Sequence, residues 1–338
     1  LDAARLHVFD LPAGWSMVLD ERMGISGAPV TGRPIYFRRE SDPVQAADGR
    51  GQDVTELVTR RDLTAPAPGE LDHRFIGLLA QDQTLTLEFG EPIDGCNPVL
   101  VADGWVEYPY SQTVFAAWQA GLRYRSASLE ARDSDGRWHL VHPEFGYPAG
   151  MPRQMALPLQ DLPPGTDALR LSSNMEIYWD RLRLVWEEPA PGVAQTTLNP
   201  VVANVARTGF AKRTNGPQRV PHYDYEHRAP YWDTKYQRGF YTALGEATEL
   251  VADVDGALAI IGAGEEVHME FPQAPLSSVN GQRFFVLEFR GWAKDMDLYT
   301  EHGDTVGPLP LPDNVDAATL ARRERLHARY NVRFQDGL

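Results

Sequence analysis

Three short landmarks occur twice, in the same order, along these 338 residues. Thr55-Glu56-Leu57-Val58 returns as Thr248-Glu249-Leu250-Val251. A stretch ending in Glu88-Phe89 returns as one ending in Glu270-Phe271, and Gly104-Trp105 returns as Gly291-Trp292. Any single match is weak, but three in order at a spacing of roughly 190 residues indicate duplication of a whole domain, because solenoids repeat at about 20–50 residues. The copies are unequal. The first runs well past its Gly-Trp before the linker Glu187-Glu188-Pro189-Ala190-Pro191-Gly192, whereas the second soon meets Pro308-Leu309-Pro310-Leu311-Pro312. A second sandwich must therefore draw strands from residues 196–247 or lean on a neighbour.

The clearest segments alternate as strands do. In Thr84-Leu85-Thr86-Leu87-Glu88-Phe89 and in Val267-His268-Met269-Glu270-Phe271, apolar residues take every second position, which buries one face and wets the other. Phe284 to Phe289 is apolar on both faces, which suits a central strand. Arg181 to Trp186 is another strand, and Val99 to Ala102 a short one. Turn pairs recur between them: Asp48-Gly49, Asp94-Gly95, Asp103-Gly104, Asp135-Gly136, Asn215-Gly216, Asp255-Gly256 and Asn280-Gly281. Two short helices are expected, Asp53 to Arg61 and Asp316 to Tyr330, the latter capped by Asp313 or Asn314 and basic towards its C-terminus.

The expected fold is mainly β, with two related β-sandwich modules of jelly-roll or galactose-binding-like type, short helices and a C-terminal helix. The first module with its N-terminal extension spans 1–188, a linker 189–195, the shorter second module 196–312 and the helical tail 313–338.

Charge narrows the partners. A formal net charge of −15 disfavours nucleic acid and anionic membrane. No apolar run approaches about 18 residues, so direct membrane insertion is not expected. Cys96 is the only cysteine, in a Gly95-Cys96-Asn97-Pro98 turn without an obvious base, and reads as a bystander. The start at Leu1, without Met, is expected of a processed protein or a piece of a longer one.

Aromatic residues cluster beside carboxylates after each Gly-Trp. Trp105, Glu107, Tyr108 and Tyr110, with Trp118 downstream, form a candidate surface for a protein partner or for sugar rings. Trp292 and Tyr299 hold the comparable place in the second copy, and Tyr231 and Trp232 join the partner-binding candidates. The competing structural reading puts Trp105 and Trp292 in the core. Asp133-Ser134-Asp135-Gly136 and Asp253-Val254-Asp255-Gly256 each resemble half of a calcium loop, and Asp295 and Asp297, with Glu301 and Asp304 nearby, form a slightly richer oxygen cluster. These carboxylates suggest Ca²⁺, although two fall short of its six to eight oxygens and a hairpin turn explains each Asp-Gly more simply. His222, Asp224, Glu226 and His227 are the densest His/carboxylate run and the only opening for a metal- or carboxylate-dependent enzyme; a polar packing loop is the commoner explanation. No Gly-x-Ser-x-Gly elbow, P-loop, dinucleotide fingerprint or His-Glu-x-x-His occurs, and no catalytic residue is assigned.

Several stretches carry a family resemblance: LPAGWSMVLDERM (11–23), DGWVEYPYSQTVFAAWQAGL (103–122), ARDSDGRW (131–138), FGYPAGMPRQM (145–155), NMEIYWDRLRL (174–184), PQRVPHYDYEHRAPYWDTKYQRGFYTALGEATELV (217–251) and RGWAKDMDLYTEHGDTVGPLPLP (290–312). Together they resemble the C-terminal region of large bacterial proteins with FG-GAP (VCBS-type) repeats, often joined to tetratricopeptide repeats and related to cartilage acidic protein. The resemblance covers nearly the whole chain, but the full Asp-x-Asp-x-Asp-Gly calcium loops of that family are absent. It implies an exported protein, periplasmic or at the cell surface, with roles in adhesion, recognition or assembly. The leading expectation is a non-catalytic scaffold that binds a protein partner or assembly subunit. A pair of carbohydrate-binding modules is the alternative, and a metal- or carboxylate-dependent enzyme the second alternative.

Overall fold

The computed structural model describes residues 1–24, 29–229, 236–277, 279–297, 299–311 and 315–337. The chain is mainly β. In order, the strands of its N-terminal half are β1 (Ala3–Pro12), β2 (Ser16–Val18), β3 (Arg22–Met23), β4 (Ile35–Phe37), β5 (Glu40–Ser41), β6 (Gln45–Asp48), β7 (Leu78–Glu88), β8 (Pro98–Val106), β9 (Ala127–Arg132), β10 (Trp138–Pro148), β11 (Arg153–Pro158), β12 (Ala168–Met175) and β13 (Ile177–Trp186). There follow β14 (Ala194–Leu198), β15 (Val202–Arg207), β16 (Phe210–Asn215), β17 (Pro221–Ala229), β18 (Gly239–Tyr241), β19 (Gly245–Glu246), β20 (Glu265–Glu270), β21 (Gly281–Arg290) and β22 (Arg333–Gln335). The helices are α1 (Thr55–Val58), α2 (Ser111–Gln119) and α3 (Ala317–Tyr330).

The contacts divide the chain into two units, which part at Pro191 and Gly192. The first comprises residues 14–191 together with 214–222; the second comprises 1–13, 192–213 and 223–338. Residues 1–13, expected to extend the first module, thus belong to the second.

The first unit is a β-sandwich. A six-stranded sheet, β3-β10-β9-β12-β7-β6, and a four-stranded sheet, β11-β8-β13-β5, share one core that includes Leu87, Leu129, Leu169, Leu100, Leu182 and Leu184. Every residue of β8 is buried. Its inward side chains, Leu100, Ala102 and Val106, join that core. Its outward Val99 and Val101 are covered by Val18, Ile35 and Phe37 of the β2–β4 ribbon. A strand covered on both faces is apolar throughout, which hides its alternation. Asp103-Gly104 is therefore no turn but the interior of β8. Asp103 accepts from Arg183 Nη1 at 3.0 Å and from Gln154 Nε2 at 3.1 Å. A Cβ on Gly104 would lie 2.5 Å from the carbonyl oxygen of Tyr178, so close approach of β13, not a positive φ, requires the glycine. Asp94-Gly95, Asp135-Gly136 and Asp255-Gly256 do turn with the glycine at positive φ, whereas Asn280-Gly281 leads straight into β21.

The second unit contains two three-stranded sheets, β14-β1-β21 and β19-β15-β20, and a β18–β22 ribbon. Its apolar cluster joins Ala203 and Val205 of β15, Leu250, Val251, Ala257 and Ala259, and Leu326 and Tyr330 of α3. The strand missing from its own stretch of sequence comes from the N-terminus, because β1 is the centre of its sheet. This corrects the expectation for Phe284 to Phe289: β21 is an edge strand, half-buried on one face, with Phe285, Leu287 and Phe289 exposed on the other. α1 is a single turn, shorter than expected, because its helical run spans only Thr55–Val58. α3 is capped by Asp316, whose carboxylate accepts from Thr319 N at 2.7 Å. The expected caps Asp313 and Asn314 lie outside the described residues.

The first two duplicated landmarks correspond to one local device built twice, whereas Gly104-Trp105 lies inside β8 and Gly291-Trp292 just beyond β21. In the first unit Thr55 Oγ1 accepts from Ala46 N at 2.8 Å, Asp53 Oδ1 accepts from Thr55 N, and Ala46 lies opposite Leu87. In the second, Thr248 Oγ1 accepts from Ala203 N at 2.8 Å, Glu246 Oε1 accepts from Thr248 N, and Ala203 lies opposite Met269. Each threonine thus ties off a strand paired with the one that ends in Glu-Phe.

Candidate binding surfaces

The expected partner-binding residues of the first unit divide into a closed set and an open set. Trp105 is in the closed set: it is 1% exposed, and its ring stacks on Tyr178 at 5.5 Å. Residues 214–222 cover the pair. Trp105 Nε1 donates to Gln218 O at 2.8 Å, the Gln218 amide exchanges two hydrogen bonds with the backbone of Ala65, and Val220 packs against both rings. Arg219 Nε lies 2.7 Å from Glu176 Oε1, and its Nη1 3.6 Å from Glu107. Tyr178 donates to the same Glu176 oxygen at 2.6 Å, and burial followed by that carboxylate pushes its hydroxyl pKa up. Gln218 and Arg219 hold φ of 52° and 59°, a conformation unfavourable for side-chain-bearing residues and held here by these contacts. Trp105 and the half-buried Glu107 thus face the chain's own residues, and Trp105 offers no ring face to solvent.

Tyr108, Tyr110 and Trp118 form the open set. Tyr108 and Tyr110 meet edge to face at 5.9 Å, and Tyr108 also leans on Tyr147, whose hydroxyl is pushed up to about 12, chiefly by burial. Sequence reasoning missed the helix that follows, α2. Its signal is faint: it carries no charged residue and no side-chain cap, and buries only Ala117. Tyr110 O accepts from Thr113 N and Val114 N, and Gly121, at positive φ, follows the helix end. Ile76 N donates to Thr113 Oγ1 at 3.2 Å and Tyr124 donates to Ile76 O at 2.7 Å, which tethers the helix to the sandwich. The spacing puts Phe115 and Trp118 on one side with their rings 5.7 Å apart. Trp118 is 68% exposed and Tyr110 53%.

In the second unit Trp292 lies just beyond β21, half exposed, beside a cavity of about 310 Å³. Tyr241, Leu258, Ile260 and Val306 supply its apolar wall, and Lys294, whose Nζ donates to Gly307 O at 2.7 Å, a cation. Tyr299 is exposed nearby in sequence. Tyr231 and Trp232 lie outside the described residues.

No family model and no curated protein matches the chain. Among solved structures, the F5/8 type C domain of a Bacteroides fragilis protein aligns with 53% of this chain and 100% of its own, at 11% identity and a TM-score of 0.28. The mainly β character stands on the chain's own sheets.

Of the carboxylates expected for Ca²⁺, Asp133 and Asp297 are engaged in turns. Asp133 accepts from the backbone of Asp135 and Arg137 and pairs with His139 at 2.6 Å; the histidine first, then the backbone N–H groups, lowers its pKa. Asp135 pairs with Arg137. Asp297 Oδ1 accepts from Tyr299 N, Thr300 N and Thr300 Oγ1, each at 2.9 Å. Asp295 stands exposed in the same loop. In the histidine run, Asp224 accepts from the backbone of Glu226 and His227 and bonds His227 Nδ1 at 2.7 Å. Among the described residues no three His, Cys, Asp or Glu side chains gather as metal ligands, and no helix is long and apolar enough to cross a membrane.

Proposed function

We propose that this chain is a non-catalytic recognition region that binds a protein partner through the aromatic surface formed by Tyr108, Tyr110, Phe115 and Trp118. The exposure of Trp118 carries the reading. A tryptophan two-thirds exposed on a tethered helix forgoes most of its burial free energy, roughly 1.5–3 kcal/mol for a large apolar side chain, which a partner's surface would recover. Tyrosine and tryptophan are the residues that anchor interfaces, because they contribute large rigid area with a polar handle. The family resemblance supports a place outside the cytoplasm, within a longer FG-GAP-type protein. The carboxylates engaged in turns support a binding role over a catalytic one.

A second reading, recognition of carbohydrate, rests on the same flat indole, since sugar rings stack on such faces. The test is binding by the Tyr110→Ala/Trp118→Ala double variant, with circular dichroism confirming its fold. Proteins that co-purify with the wild type from the native envelope are expected to fall at least tenfold with the variant, and a glycan array is expected to be blank for both. Array hits on the wild type that vanish in the variant would replace the protein reading with the carbohydrate one. An unchanged set of co-purifying proteins would refute both.

A further inference from the structure

β21 has what an edge strand normally lacks. It is ten residues long and pairs with β1 without a register shift, and it contains neither proline nor lysine. Its charges are already matched: Arg283 grips Asp10 at 2.7 and 2.9 Å, while Glu288 holds His7 and Arg290, each at 2.8 Å. Bulges, lysines and prolines are the devices by which edges avoid pairing with other chains, and none of them guards this one.

Its hydrogen-bonding phase follows from the ladder. Ala13 N donates to Asn280 O, and the register is continuous from there, so residues 282, 284, 286, 288 and 290 turn their backbone groups towards β1. Arg283, Phe285, Leu287 and Phe289 turn theirs outward, and no described strand lies on that side. The last three also expose their side chains, by 61%, 46% and 51%. Backbone groups with no described partner strand and exposed apolar side chains thus belong to the same residues.

We propose that β21 pairs antiparallel with β21 of a second copy about a twofold axis at Leu287, joining two three-stranded sheets into one. The strand is its own complement in that register. Phe285 faces the partner's Phe289, Leu287 faces Leu287, Arg290 faces Phe284, and no like charges are opposed. A register centred on Glu288 sets two carboxylates face to face, and one centred on Val286 sets Arg283 against Phe289. Charge and apolar matching both select Leu287. The proposal goes beyond the recognition reading and uses a different surface in the other unit.

The test uses the full chain in a Cys96→Ser background. Opposed antiparallel residues sit about 5.5 Å apart at hydrogen-bonded positions, within disulfide reach. Leu287→Cys is expected to give a covalent dimer under mild oxidation, and Phe285→Cys is not, because its symmetry mate lies across the axis, far along the strand. By light scattering the unmodified chain is expected to show twice its mass of 37.8 kDa, and Leu287→Lys to return it to that mass with an unchanged circular dichroism spectrum. Three results would each overturn the proposal: a monomer at concentrations of about 100 µM, a dimer that persists in Leu287→Lys, or a cross-link that forms in Phe285→Cys and not in Leu287→Cys. None of these results bears on Trp118, so this proposal and the recognition reading can fail separately.

Discussion

His327 shows how a single side chain couples this fold to pH. Its ring lies on the last turn of α3, where a helix terminus favours a cation, yet burial, and after it the nearby Arg323, lowers its pKa to about 4. Leu258 N donates to its Nε2 at 3.0 Å, a bond that only the neutral ring accepts. Since the folded pKa lies below the unfolded value of about 6.5, the contribution is complete above pH 6.5 and is lost as pH falls from 6.5 towards 4. The half-buried ring keeps about 1–2 kcal/mol of it after solvent screening. His327→Gln retains an acceptor and does not titrate. Between pH 7 and pH 5 the urea midpoint of the wild type should fall relative to that variant, and parallel curves would contradict the assignment. The candidate site was only partly legible at this scale. Tyr108, Tyr110 and Trp118 stand out in sequence as aromatic residues. Nothing local, however, distinguishes Trp105 from Trp292, because the residue that closes over Trp105 is Gln218, 113 positions later.

At the scale of elements, alternation finds the strands with one wet face, Thr84 to Phe89 and Val267 to Phe271, because side chains with period two report burial directly. It misjudges strands in which the two faces meet unusual surroundings. β8 is longer than its Val99–Ala102 signal because a ribbon covers its outer face, and β21 looks central although it is an edge. The threonine device is the repeated element with the clearest energetic content. Thr55→Ala and Thr248→Ala each leave the N–H of a fully buried alanine, Ala46 or Ala203, without its acceptor. Each should cost about 1–3 kcal/mol, while the serine variants, which keep the oxygen, should cost well under half as much. Equal losses for alanine and serine, measured by denaturant titration, would show that the methyl group and not the hydroxyl matters.

Over the whole molecule, the repeated landmarks are legible in the sequence but the closure of the second unit is not. The second copy reads as short when taken as a contiguous segment, whereas its sheet is completed by β1, more than 180 residues earlier in the chain. Phe9, buried in that strand, tests the point. Phe9→Ala should cost about 3–5 kcal/mol, and limited proteolysis should show the loss as cleavage within residues 223–338 while 14–191 stays protected. Cleavage confined to 14–191 would reverse the assignment. The protein-recognition reading concerns the other unit, and it is tested most directly by a photo-activated cross-linking residue at Trp118, compared in the native cell with the same residue at the equally exposed Val44. One discrete protein adduct is expected at position 118 and none at position 44. The same adducts at both positions, or none at 118, would contradict that reading.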